Sequence, residues 1–110
     1  MKHFKTIPIP HLYIDIHFDD LSKMKGVDIK GSGFTCIMGD DSVVVFLQDI
    51  KNNIKNPVFF PVIAHEVMHV IQILCERNMM KVENEQEHTA YLMLYILNEL
   101  LGYEGFKFKK

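Results

Sequence analysis

Apolar and polar residues alternate with a period of two in the first half of the chain and recur every three to four residues in the second. "LYIDIHF" (12–18) sets Ile14, Ile16 and Phe18 against Asp15, His17 and Asp19, the pattern of a half-buried strand. "DDLSKMKG" follows as a polar stretch with some helical character. "GFTCIM" (33–38) and "SVVVFL" (42–47) are two further strands, joined across Gly39-Asp40-Asp41 as a hairpin. The β-branched run Val43-Val44-Val45 suits a strand buried on both faces or lying beside a cleft.

Beyond the polar "QDIKNNIKNP", read as a loop or short helix, the period changes. A helix is expected from Phe60 to about Arg77, with Pro61 in the first turn, where its missing N–H does no harm. A last helix is expected over roughly Glu83–Leu101, stopped by Gly102. Its stripe Ala90-Leu94-Leu97-Leu101 is taken as the face turned to the core. Strands first and two long helices after predict an α+β fold, a small N-terminal sheet packed on two C-terminal helices. At 110 residues the chain forms one domain, 1–110.

Composition narrows the picture. The chain is 48% hydrophobic and 24% charged, which excludes a disordered segment. A formal net charge of −2 offers no surface for nucleic acid, and "FKFKK" reads as a solvated basic end. The first ten residues lack the apolar run of a signal peptide, and no window reads as the ~18 apolar residues of a membrane span. Cys36 and Cys75 form neither a CxxC nor a disulfide framework, so a cytoplasmic setting is expected. Asp15, His17 and Asp19 read as a wet sheet face, and His3 and His11 as part of a loose terminus.

One stretch breaks the apolar pattern. "PVIAHEVMHVIQIL" (61–74) places His65, Glu66 and His69 inside the most apolar helix, where buried polar groups need partners. Four residues apart on a helix, His65 and His69 share a face and can offer two imidazole nitrogens to one zinc ion. Glu66 can reach a water on that ion and act as general base. The HExxH pattern arises by chance in a chain of this composition roughly 0.02 times.

A third ligand is sought in the last helix, among Glu83, Glu85, Glu87 and His88. Counting back from Ala90 and Leu94 places Glu87 on the stripe, with His88 the runner-up and Glu85 on another face. Two His and one Glu leave a fourth position open, as in catalytic zinc sites. Zinc brings the pKa of a bound water toward ~7, so Glu66 can take its proton and later pass it to a leaving amine. Tyr91 and His88 are further candidates to stabilise an oxyanion, though packing is the plainer role for each.

"HEVMH" followed by "EQEHTAY" resembles the HExxH zincin metallopeptidases of the gluzincin type, whose third ligand is a Glu on a later helix. The likeness is greatest to compact phage or prophage metallopeptidase-like proteins, and looser to ImmA/IrrE-type and SprT-like peptidases. It spans about residues 33–97, and "GFT…SVVVFL" is similar to the strand pair that precedes the active-site helix in such folds. The resemblance implies His65, His69 and Glu87 as zinc ligands, Glu66 as base, and a peptide or protein substrate. This sequence departs from ImmA/IrrE-type proteins in carrying His88 where a small residue usually follows the glutamate. The substrate is expected to lie extended along an edge strand near Val43–Leu47. Two rivals are a zinc-stabilised structural or interaction protein and a metal-dependent amidase.

Overall fold

A computed structural model describes residues 3–9, 12–24, 31–38, 42–77 and 86–102, the side chains of 86–88 excepted. Four strands come first: β1 (Lys5–Ile9), β2 (Ile14–Asp20), β3 (Gly33–Ile37) and β4 (Val43–Leu47). Three α-helices follow: α1 (Ile50–Asn53), α2 (Phe60–Glu76) and α3 (Gln86–Leu101). The α+β expectation holds. Short 3-10 turns at Leu21–Lys23 and Pro57–Phe59 complete the described elements.

The sheet order is β1-β2-β4-β3. β1 runs antiparallel to β2, β2 parallel to β4, and β3 antiparallel to β4. The predicted hairpin is present, with Gly33 opposite Leu47 and Ile37 opposite Val43. Its turn, Gly39–Asp41, lies outside the described residues. Every residue of β4 is buried, as a strand with neighbours on both sides requires. Val43–Leu47 is therefore interior, which corrects the expectation of an edge there. Among the described residues the edges belong to β1 and β3.

β1 is a strand beyond those expected, and Pro8 in "KTIPI" is a residue that a central strand does not accommodate. Its edge position resolves the conflict, since an edge strand can spare one N–H. Tyr95 Oη also donates to the Pro8 carbonyl at 3.2 Å, tying β1 to α3.

One face of the sheet presents Ile7, Ile9, Ile14, Ile16, Phe18, Val43, Val45 and Leu47 to the helices. α2 answers with Ile63, Val67, Val70, Ile71 and Leu74, a stripe at helical spacing. The stretch Pro57–Glu76 has the length and mean hydropathy (1.7) of a membrane span, contrary to the sequence expectation. In this fold that apolar side packs on the sheet. α3 ends where Gly102 takes φ 66° and donates to the Asn98 carbonyl, the predicted glycine stop.

The inward stripe of α3 differs from the predicted one. Leu92, Ile96 and Leu100 are buried and the predicted Leu97 and Leu101 pack against the core beside them, whereas Ala90 is exposed. Ala, Leu and Tyr fill most turns of this helix, so the sequence offers more than one apolar stripe and packing decides among them.

The opposite face of β2 is also drier than expected. Asp15 is exposed and His17 half-buried, but Asp19 is only 1% exposed. Asp19 accepts from the Phe4 backbone N–H at 3.0 Å, from Lys23 Nζ at 2.7 Å and from His3 Nδ1. The His3 ring stacks on His17 at 4.1 Å, and His17 pairs with Thr6 Oγ1 at 2.8 Å. His3 is thus anchored, not loose. Burial alone would raise the Asp19 pKa, but the Lys23, His3 and Phe4 donors outweigh it and hold the carboxyl below its ordinary range.

A depressed carboxylate stabilises the fold above its unfolded pKa near 4 and loses that contribution as pH falls through the folded value. Asp19→Asn should lower the melting temperature at pH 7 by roughly 5–10 °C. The gap to wild type should narrow as pH falls below the unfolded value near 4, read by thermal melts across pH. A gap independent of pH would assign the effect to shape and not to charge.

Candidate metal centre

α2 crosses β3 and β4 so that one turn of the helix faces the edge of the sheet. Three residues of that turn diverge in environment. Glu66 is 5% exposed, while the His65 side chain is 67% exposed and His69 also faces solvent. The helical period explains this. Glu66 lies three residues after Ile63 and one turn before Val70, at the border of the buried stripe, and His65 and His69 lie beyond that border.

The imidazoles converge. His65 Nε2 and His69 Nε2 stand 3.0 Å apart, with the rings edge to face. His69 Nδ1 lies 3.0 Å from Gln72 Oε1, an oxygen that can only accept, so Nδ1 carries the proton and Nε2 presents its lone pair. A partner behind a ligating ring fixes its tautomer and orientation. Two nitrogens each ~2.0–2.1 Å from one zinc lie ~3 Å apart, so this pair fits the ion. One ligand atom from each of His65, Glu66 and His69 lies within 4.8 Å of the others.

Glu66 is held from the sheet. Thr35 Oγ1 donates to Glu66 Oε1 at 2.8 Å, and the other oxygen, Oε2, stands 4.0 Å from His65 Nε2. Gly33, two residues before Thr35 on the same face of β3, packs against the Glu66 side chain. A Cβ at Gly33 would fall 2.8 Å from Glu66 Cγ and 3.2 Å from Oε2. These groups open into a cleft of about 430 Å³, which Phe34, Gln72, Ile73 and Glu76 also line.

The structure therefore brings His65, Glu66 and His69 together. Glu87 and His88 stand in the first turn of α3, but their side chains lie outside the described residues, as do Glu83 and Glu85 entirely. Among the described residues, none of α3 lines the cleft. Tyr91 is 62% exposed and also absent from that lining. Ala90, from which Glu87 was counted, is exposed, and Leu92 and Ile96 are the buried positions beyond it.

Thr35, Gly33 and Gln72 were not anticipated as site residues. Thr35 and Glu66 are 31 positions apart, a contact that no local pattern reports. Gln72 was legible in principle, three residues after His69 on the same helix face. No family model, curated protein or solved structure matches the chain.

Proposed function

We propose that the protein is a zinc-dependent hydrolase of peptide bonds, with His65 and His69 as ligands, Glu87 as the third ligand and Glu66 as general base. One observation carries the reading: a buried, anchored carboxylate beside two exposed imidazoles whose Nε2 atoms are 3.0 Å apart, at the mouth of a cleft. A site that served only to staple the fold would be closed by four protein ligands. The resemblance of "HEVMH" to the zincin motif supports the same reading, and the unpatterned cysteines fit a cytoplasmic setting.

Zinc held here would acidify water and polarise a carbonyl. Gln72 orients His69, and Glu66 Oε2 faces the metal side, placed to accept a proton and return it to the leaving amine. The peptide would lie along β3, the edge beside the site, and not along β4. Met38 N–H donates to Ser42 and Gln48 N–H to Ser32, which fixes the alternation of the ladder between β3 and β4. Gly33, Thr35 and Ile37 then fall at the positions whose N–H and C=O point away from β4, toward an added strand.

Purified protein should carry about one zinc per chain, and chelation should lower its melting temperature by several degrees, because metal binding is linked to folding. A peptide library incubated with the zinc-loaded protein should show chelator-sensitive cleavage by mass spectrometry. Zinc at full occupancy without cleavage of any peptide would favour the structural rival. Melting indifferent to chelator with no bound metal would end both readings.

A further inference from the structure

We infer that Thr35 and Gly33 form a positioning pair on the edge strand, which sets the rotamer of Glu66 and selects the carboxylate oxygen that faces the metal side. The inference rests on the hydrolase reading for its catalytic meaning, but the contacts stand by themselves. Thr35 Oγ1 bonds Glu66 Oε1 at 2.8 Å and also lies 3.4 Å from the Glu66 backbone carbonyl. With Oε1 so occupied, Oε2 is the oxygen left toward His65, 4.0 Å from its Nε2.

Gly33 supplies the room. Any Cβ there would sit 2.8 Å from Glu66 Cγ, closer than real Cβ contacts allow, and the carboxylate would have to leave its seat. The Gly33 backbone is not in the left-handed region, so close approach and not backbone freedom requires glycine here.

The pair has a second property. Thr35 and Gly33 turn their side-chain positions to α2 and their N–H and C=O groups to the side of β3 that no strand among the described residues pairs with. The residues that seat the base are thus the ones that would pair with a peptide added to that edge. Substrate register and base position are set by one strand, and a base on a buried, hydrogen-bonded seat needs little rearrangement to act.

A double-mutant cycle tests the pair without requiring turnover. Thr35→Val should lower the melting temperature of the metal-free protein by about 4–8 °C, because a buried carboxylate oxygen loses its donor. In a Glu66→Ala background the same change should cost less than ~2 °C. Thr35→Ser should restore most of the loss. Gly33→Ala should follow the same logic, costly beside Glu66 and nearly silent beside Ala.

On the zinc-loaded protein, Thr35→Val should lower kcat by about tenfold or more with KM and zinc content close to wild type, and Thr35→Ser should recover it. Equal melting losses in both backgrounds would overturn the pair and leave Thr35 and Gly33 as ordinary strand residues. Coupling in melting with a wild type that cleaves nothing would keep the Thr35–Glu66 seat and sink the hydrolase reading. A kcat unchanged by Thr35→Val in an active enzyme would remove the positioning role.

Discussion

Glu66→Gln is expected to leave about one zinc per chain and an intact fold while reducing peptide cleavage by roughly 10²–10⁴-fold, the usual contribution of a positioned general base. The substitution keeps the volume of the side chain. Its amide oxygen can still accept from Thr35 Oγ1, so the buried seat on β3 stays satisfied. The group lost is the oxygen that faces His65, where an amide nitrogen cannot take a proton. His65→Ala should differ in kind, removing one of the two converging nitrogens and with it the metal. Elemental analysis and a cleavage assay on the same three preparations separate the cases. Zinc lost from Glu66→Gln as fully as from His65→Ala would make Glu66 a ligand, and the base would have to be sought elsewhere.

What the sequence disclosed depended on how local the signal was. The helix around His65 and His69 was legible because its period, its early Pro61 and its HExxH spacing all lie within one turn or two. The β3–β4 hairpin was legible for the same reason, with two β-rich runs joined by a short turn cluster. Strand order was not. β4 pairs with β2 in parallel, and that long-range choice turned Val43–Leu47 from a presumed edge into the centre of the sheet. The run Val43-Val44-Val45 did signal burial on both faces, which an edge beside a cleft does not need.

Asp19 failed in the opposite way. Alternation placed it on the wet side of β2, and only the packing of His3 and Phe4, 16 and 15 residues away, closed over it. Thr35 and Gly33 look like any small residues of a strand until the helix is laid against them. Then one is a donor and the other a space.

Glu87→Ala is expected to weaken zinc binding by more than ~100-fold, because even partners that stand behind a ligand cost ~10–100-fold when removed. This is the most exposed of the proposed assignments. The side chains of Glu87 and His88 lie outside the described residues, and Ala90, from which Glu87 was counted, is exposed. Yet the imidazoles of the site are themselves outside the buried stripe of α2, on the solvent side of Glu66. A third ligand from the start of α3 has to reach that outer side, and a carboxylate serves there as well as an imidazole. A zinc competition titration of Glu87→Ala, His88→Ala and Glu85→Ala decides the matter. Loss confined to Glu87→Ala supports a two-His, one-Glu centre with a free fourth position. Loss confined to His88→Ala would make it a three-His centre, replacing Glu87 while leaving His65, His69 and the seat of Glu66 as they are.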